Sequence, residues 1–472
     1  MAGDRVEKDT MGEVRVPKDA LWGASTQRAV ENFPISGLRF PRVFLEALGL
    51  VKWACSEANM DLGLLDRKIG GAIANAARDV AAGTHDDQFP LDIFQTGSGT
   101  STNTNANEVI ANLANLALGG TVGAKKPAHP NDHVNMGQSS NDVIPTAIHL
   151  AALLAMEREL VPALRRLHEA LAAKAKAWDG IVKSGRTHLM DATPIRLGQE
   201  FSGYASQVEH AVRRVQGTYR HLGELALGGT AVGTGINAHP DMPPRAIRRL
   251  AEATSLPLRR ADNAFEAQAA QDALIEASGA LRVVAASLFK IADDVRLMGS
   301  GPRTGLAELK LPELQPGSSI MPGKVNPVIP EAVLQVCVQV YGNDATVGAA
   351  GLANHLDLST MMPVMARNLL ESVHLLARAC EVFREKCVDG LQPNLEKIRR
   401  DAEMSTAIVT RLNPIIGYDK AAELAKESMR TGKTVKELVI EKGILPREEA
   451  ERLLDPKALT EANKDLLGSG GG

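Results

Sequence analysis

The segment Leu281-Arg-Val-Val-Ala-Ala-Ser-Leu-Phe-Lys-Ile-Ala-Asp-Asp-Val-Arg-Leu-Met298 repeats its apolar residues at three- and four-residue steps. The apolar positions are Leu281, Val284, Leu288, Ile291, Val295 and Met298. They follow a seven-residue repeat, which is typical of helices packed nearly parallel in a bundle. The segment therefore predicts a long helix whose apolar stripe lies in the core of a bundle.

Two other segments carry the helical period, so we expect a mainly α chain. Their apolar positions are Leu153, Met156, Leu160, Leu164, Leu167 and Leu171 in one segment, and Leu197, Phe201, Tyr204, Val208, Val212, Val215 and Tyr219 in the other. Residues 335–340 alternate like a strand, but they lie between Pro330 and the Asn343-Asp344 pair, and a buried bundle helix is the better interpretation. Pro194 is expected at the first position of a further helix.

The length of 472 residues corresponds to about three domains of ordinary size. Boundaries are expected in the loop-rich stretch before residue 139 and at the break in residues 390–394. These divide the chain into an N-terminal domain, 1–138, a long-helix domain, 139–393, and a small helical domain, 394–472. Residues 468–472 are expected to form a flexible tail.

Composition and charge exclude several classes of protein. With 44% hydrophobic and 23% charged residues, the chain can bury a substantial core, and a net charge of -3 gives no basic field for nucleic acid. The four cysteines form no Cys-x-x-Cys pair, no Cys/His cluster has the spacing of a metal site, and a reducing cytoplasm fits them. No targeting segment and no run of membrane-spanning length is apparent.

The most unusual loop is Gly317-Ser-Ser-Ile-Met-Pro-Gly-Lys-Val-Asn-Pro327, in which glycine and proline rule out a helix or a central strand. It carries the hydroxyls of Ser318 and Ser319, the ammonium of Lys324 and the carboxamide of Asn326. A helix with Glu331 in its first turn follows directly. These groups suit a mobile lid over an anionic substrate, and an ordinary surface connection is the alternative.

Three further polar segments each precede a helical pattern. Residues 95–103 form a Gly/Ser/Thr cluster with Ser98 and Thr100, which can cradle an anion but is also a common loop composition. Residues 137–142 contain Ser139, Ser140 and Asn141, more capping side chains than one helix start needs. Residues 185–194 contain Thr187 and His188, and a lone histidine is more often structural than catalytic.

One interpretation of the turn-like segment near residue 130 is that it forms a second anion site. The candidate residues are Lys126, His129, Asn131 and Asp132. Turn formation alone explains the same residues equally well.

The four polar segments, in this order, resemble the class II fumarate hydratases of the fumarase/aspartase superfamily over nearly the whole chain. The resemblance implies a three-domain fold whose long central helical bundle forms the core of a homotetramer. It also implies reversible hydration of fumarate to L-malate without metal or cofactor, in active sites shared between subunits.

The resemblance further implies roles for individual residues. Ser318 is the base and His188 the acid, Glu331 pairs with His188, and Lys324 stabilises the negative charge that develops in the reaction. The implied substrate ligands are Ser98, Thr100, Ser139, Ser140, Asn141, Thr187, Ser319, Lys324 and Asn326. The accessory dicarboxylate site of the family corresponds to Lys126, His129, Asn131 and Asp132.

Two alternatives remain within this resemblance. Aspartate ammonia-lyases usually have Gln, Thr and Ala where this chain has His188, Ser140 and Gly323. The sequence of residues 101–107, however, is closer to that of the aspartate ammonia-lyases. Some superfamily members are lens crystallins, so a non-catalytic structural protein is the second alternative. Retention of Ser318 and Lys324 argues against it.

Overall fold

The computed structural model describes residues 3–462 and is mainly α-helical, as the periodicities predict. The expected tail at residues 468–472 lies outside the described residues. The longest helices are Arg42–Asp61, Leu197–Gly217, Asp272–Met298, Val328–Gly351 and Met362–Lys386. The predicted apolar stripe between Leu281 and Met298 falls within Asp272–Met298, and five of its six residues are at most 1% exposed.

Contacts between residues divide the chain into two compact units. The first contains the described residues through Pro162, Ala211–Ala286 and Val336–Arg378. The second contains Ala163–His210, Ser287–Gln335 and the described residues from Ala379 onward. The long helices carry the chain from one unit to the other. The division into three domains stays a prediction, because the two units are defined by contacts within a single chain.

In the first unit, helix Arg42–Asp61 packs against Arg67–Ala82, Ser140–Ala155 and Met242–Thr254. Helix Thr100–Ala117 in turn contacts Ser140–Ala155. Side chains such as Phe44, Leu48, Ile110, Ile144 and Ile148 are fully buried. Burial of this apolar surface fixes where the two polar helix starts, at Thr100 and Ser140, lie.

The remaining elements of the first unit are short. The helices are Ala24–Asn32, Tyr219–Leu222 and Ala264–Ala269, with π-helical turns at Pro130–Val134 and Met156–Leu160 and a 3₁₀ turn at Asp86–Gln88. Strands Asp4–Asp9 and Gly12–Pro17 form an antiparallel hairpin, and Glu224–Leu225 pairs in parallel with Arg259–Arg260.

The second unit contains the β-hairpin Val182–Thr187 and Met190–Arg196, which was not predicted. Pro194 lies inside its second strand, opposite Ser184, and the following helix begins at Leu197, so the predicted helix start at Pro194 is wrong. A register shift next to this pair, between Ser184 and Gly185, marks a β-bulge. A strand can hold a proline at such an irregularity because a ladder hydrogen bond is already missing there.

The C-terminal part of the second unit is built from short helices. They are Leu395–Met404, Asn413–Ile416, Tyr418–Thr431, Val435–Glu441 and Arg447–Leu453, with 3₁₀ turns at Val388–Gly390, Thr406–Leu412 and Pro456–Leu459. Most of helix Val161–Ala177 also belongs to the second unit. Leu309–Lys310 pairs with Gln392–Pro393. The hairpin packs against Leu395–Met404 and Thr406–Leu412, which supports its two strands from behind.

Residues 335–340 form part of helix Val328–Gly351, so the helical interpretation of this segment is confirmed. Its burial is one-sided in the single chain. Cys337 and Val340 are buried, whereas Val338 is 63% exposed. Within the described residues, no helix is long and apolar enough to cross a membrane.

Candidate active site

A row of hydroxyl groups joins the starts of two helices in the first unit. Thr100 Oγ1 lies 2.7 Å from Ser98 Oγ and 2.7 Å from Ser140 Oγ. Helix Thr100–Ala117 can begin so close to its neighbour because Gly99 adopts a left-handed conformation, with φ of 71°. Hydroxyl hydrogens rotate freely, so all three groups can turn to donate to one carboxylate.

The next two predicted ligands, Ser139 and Asn141, already make hydrogen bonds to backbone groups of the protein. Ser139 caps helix Ser140–Ala155, and its Oγ accepts from the backbone N–H of Asn141 at 3.2 Å. The Asn141 side chain donates through Nδ2 to the carbonyl of Ala231 at 2.7 Å. That bond fixes the amide plane and leaves Oδ1 on the opposite side.

Asp142 is the buried group that holds this turn in place. Its carboxylate accepts from the backbone N–H groups of Ser139, Gly228 and Thr230 at 2.9, 2.9 and 3.0 Å. Burial raises the pKa of Asp142 to about 6, and the three backbone donors oppose that rise. Asp142 therefore connects the Ser139 turn to a second loop.

That second loop, Gly228-Gly-Thr-Ala-Val-Gly-Thr-Gly-Ile-Asn237, was missed in the sequence. Its glycines and hydroxyls resemble those of residues 95–103, and that similarity is the signal that could have identified it. Thr230 and Asn237 adopt positive φ values of 54° and 64°, which shows how tightly the loop turns. Gln268 Nε2 holds the loop by donating to the Thr230 carbonyl at 2.7 Å.

A fully buried lysine lies behind the same turn and was also missed. Lys52 Nζ donates to Asn135 Oδ1 and to Gln138 Oε1, each at 3.0 Å. Burial lowers the pKa of Lys52 to about 7, while Cys55 and Asp142 oppose the shift electrostatically. A lysine on a helix is usually taken as a surface residue, so the sequence pattern concealed it.

A close backbone contact fixes the Gly/Ser/Thr cluster from the other side. A Cβ atom on Gly97 would lie 1.9 Å from the carbonyl oxygen of Thr360, a distance no side chain can occupy. The Gly97 carbonyl also accepts from the backbone N–H of Met362 at 3.1 Å. Glycine is required here for close approach of two backbone segments.

The loop at residues 317–327 has no regular structure, as predicted, and belongs to the second unit. The backbone N–H of Gly317 donates to the Lys324 carbonyl at 2.7 Å, and Asn326 Nδ2 donates to the Gly317 carbonyl at 2.9 Å. The loop is thus closed at its base. Lys324 and Ser319 are exposed, whereas Asn326 uses one of its two amide N–H donors within the loop.

Ser318 occupies a special position within this loop. Its Oγ accepts from the backbone N–H groups of Ile320 and Met321 at 3.2 and 3.0 Å. Two N–H groups aimed at one oxygen stabilise negative charge on that oxygen. The geometry is that of a serine turn, and the same two N–H groups would stabilise negative charge on Oγ once the hydroxyl lost its proton.

Thr187 and His188 lie at the tip of the β-hairpin, and both are exposed. His188 and Leu189 have positive φ values of 56° and 61°, as a two-residue hairpin turn of the primed type requires. We predicted that this segment lies just ahead of a helix. In the structure it forms the tip of a β-hairpin instead. Within the described chain, no hydrogen bond joins His188 to Glu331, so their pairing stays a prediction.

The segment of the predicted accessory site forms a capped turn. His129 Nδ1 accepts from the backbone N–H groups of Asn131 and Asp132 at 3.3 and 3.2 Å and lies 3.3 Å from the Asp132 carboxylate. With Nδ1 used as an acceptor, Nε2 carries the ring proton. The turn-forming interpretation is thus supported, and the anion site at Lys126, His129, Asn131 and Asp132 stays a prediction.

The two sets of residues offer complementary chemistry. The hydroxyl row and Asn141, in the first unit, supply hydroxyl and amide groups that can donate to a carboxylate. Lys324, Ser318 and His188, in the second unit, supply a cation, a polarised serine and an exposed imidazole. In the described residues, no group of three or more His, Cys, Asp or Glu side chains could hold a metal ion.

Comparison with known families identifies the class of protein to which the chain belongs. A family model described as lyase matches residues 12–342, which is most of the chain, and a model described as fumarase C C-terminus matches residues 408–461. The first match alone identifies the class of protein as a lyase of this fold.

Individual relatives narrow the assignment. Fumarate hydratase class II of Mycobacterium tuberculosis (strain CDC 1551 / Oshkosh) is 56% identical over 468 residues, 98% of this chain and 97% of the relative. The protein of the same name from Halobacterium salinarum is 57% identical over 456 residues, 97% of each chain. The crystal structure of class II fumarase from Schistosoma mansoni superposes with a TM-score of 0.94 at 38% identity, covering 97% of this chain and 99% of that one. The chain belongs to the class II fumarate hydratase family.

Proposed function

We propose that this chain catalyses the reversible hydration of fumarate to L-malate. The hydroxyl row of Ser98, Thr100 and Ser140 carries the proposal, because three rotatable donors at two helix starts suit a carboxylate. Ser139, Asn141, Thr187, Ser319, Lys324 and Asn326 are the further proposed ligands. No metal or organic cofactor is needed in this scheme.

The proposed reaction removes a proton from C3 of malate and the hydroxyl from C2. Ser318 takes the proton, and the N–H groups of Ile320 and Met321 offset part of the cost of charging its oxygen. His188, paired with Glu331, protonates the departing hydroxyl so that it leaves as water. Lys324 stabilises the negative charge that moves into the adjacent carboxylate.

We further propose that the enzyme is a cytoplasmic homotetramer with active sites shared between chains. Large apolar side chains stay exposed on two of the longest helices, including Phe289 at 38%, Val338 at 63% and Tyr341 at 47%. Several such residues on helices that are otherwise packed are typical of an interface between subunits. All four cysteines lie within the described residues, are buried and form no disulfide, which suits a reducing compartment.

The test is incubation of purified protein with L-malate and, separately, with L-aspartate, while the conjugated double bond of fumarate is followed by ultraviolet absorbance. We expect fumarate from malate, and none from aspartate. Ser318→Ala, prepared in parallel, controls for a contaminating host enzyme. Formation of fumarate from aspartate alone would establish the ammonia-lyase alternative, and turnover of neither substrate would favour a structural protein.

A further inference from the structure

The tip of the hairpin that carries Thr187 and His188 is not held by its own packing. Residues 187–191 are all exposed in the single chain, whereas residues 183–185 of the first strand are buried. Exposed side chains make few contacts that could fix a backbone in one place. The position of the His188 imidazole therefore depends on what anchors the strand behind the tip.

That strand is anchored by Glu308, a fully buried carboxylate that contacts two cations of the hairpin. Glu308 Oε1 accepts from Arg186 Nη1 at 2.8 Å, and Oε2 lies 2.9 Å from Lys183 Nζ. Lys183 also donates to Glu200 Oε2 at 2.8 Å. Two basic and two acidic side chains thus form a compact cluster, in which Arg186 is the member closest to the tip.

Glu308 is itself fixed by hydrogen bonds of its backbone. Its N–H donates to the Met298 carbonyl at 2.8 Å, and its carbonyl accepts from the Asn394 N–H at 2.8 Å. The Asn394 side chain donates to the neighbouring Ala307 carbonyl at 2.9 Å. The carboxylate is therefore a fixed point in the second unit, against which the hairpin is placed.

We propose that Glu308 is a positioning residue for the hydration reaction and places His188 through its ion pair with Arg186. The proposal rests on the proposed function, in which His188 protonates the departing hydroxyl. Arg186 is two residues from His188, which is at most about 7.6 Å between Cα atoms. A displaced anchor therefore displaces the imidazole, and an error of about 1 Å can cost about 10² in rate.

The experiment is steady-state malate kinetics of Glu308→Gln in the full-length protein. The substitution keeps the shape of the side chain and removes the charge that holds Arg186. We expect kcat to fall at least about tenfold and KM to change less than about threefold, because Thr187 is the one proposed substrate ligand on the hairpin. A role in stability alone would lower the melting temperature and leave kcat per folded protein unchanged.

Arg186 tests the same contact from the hairpin side, and its partial exposure makes its substitution milder for the core. Arg186→Gln should lower kcat as Glu308→Gln does, and Arg186→Lys, which keeps the charge, should retain more activity. Both substitutions to Gln remove one contact, so the double variant should be no slower than the slower single variant. The Arg186 variants carry the test if Glu308→Gln does not fold.

Glu381→Gln is the matched control, because Glu381 also contacts two cations of the second unit, Arg166 and Arg384, and neither lies on the hairpin. It should turn malate over as the wild type does. The proposal fails if folded Glu308→Gln or Arg186→Gln keeps its kcat, or if the two losses multiply in the double variant. A wild type without malate turnover would overturn the proposed function as well, whereas those failures beside an active wild type overturn this proposal alone.

Discussion

Lys52 Nζ donates to Oε1 of Gln138 across 3.0 Å, and Gln138 directly precedes the Ser139 turn. An amine buried completely in the protein thus contacts the residue that precedes a proposed substrate-binding segment. The amide oxygens of Gln138 and Asn135 replace the water that an exposed ammonium would have. The position of the turn depends on a residue that contacts no substrate.

The first prediction concerns the pH dependence of stability that Lys52 causes. Its pKa is about 7 in the folded chain and 10.5 as the ordinary value, so between these limits the unfolded chain binds more protons. The free energy of unfolding should therefore rise as pH increases from about 7 toward 10.5. Urea unfolding of the wild type and of Lys52→Met at several pH values in this window measures the effect. The variant should lose this rise, and an identical slope in both proteins would contradict the assignment.

The second prediction concerns the proposed acid and base. Ser318→Ala and His188→Asn should each lower kcat by about 10² or more, because general acid–base catalysis contributes about that factor. Both positions are outside the buried core, so circular dichroism and assembly should be unchanged. Ser202→Ala is the control for the serine, since Ser202 is exposed on helix Leu197–Gly217 and is not among the proposed ligands. Near-normal turnover in either variant would remove that residue from the mechanism.

The third prediction concerns the hydroxyl row. Thr100→Val keeps the shape of the side chain and removes the hydroxyl that bonds to both Ser98 and Ser140. We expect KM for malate to rise roughly tenfold to a hundredfold, since one hydrogen bond to a charged group is worth about 1.5–3 kcal/mol. Thr104→Val, farther along the same helix, is the control and should leave KM unchanged. An unaltered KM in Thr100→Val would argue against a carboxylate site at the row.

The fourth prediction tests shared active sites. Ser318→Ala and His188→Asn chains, each inactive alone, should regain activity when they assemble together, because some sites would combine an intact serine loop with an intact histidine. Random mixing in a homotetramer restores about a quarter of the sites. Co-expression with two different tags, double affinity purification and a malate assay provide the measurement. Hybrids as inactive as their parents would show that Ser318 and His188 of one site come from one chain.

The long helices could be predicted because their buried apolar residues recur at the helical period in the sequence. Asp272–Met298 contains the entire stripe from which we started, and residues 335–340 proved helical despite their alternation. The hairpin was missed for a physical reason. Pro194 has the same signature at a helix start as at a bulged strand, and only pairing with residues 182–187 distinguishes the two.

The candidate site was predictable only in part. Polar residues crowded into loops, such as Ser139 and Ser140, stand out because capping needs fewer of them. Lys52 does not stand out, since its significance comes from complete burial, which no local pattern encodes. The loop Gly228–Asn237 was overlooked because its role depends on a buried carboxylate, Asp142, far away in the chain.

The contact between Gly97 and the Thr360 carbonyl has a consequence for how this chain can diverge. Even alanine at position 97 would require the backbone around Thr360 to retreat, because its Cβ would lie only 1.9 Å from that oxygen. The backbones at residues 97 and 360 therefore constrain each other, although neither residue has a proposed role in the reaction. Lineages that keep Gly97 can vary the Thr360 side chain, whereas lineages that lose the glycine should show a compensating insertion, deletion or rearrangement near residue 360.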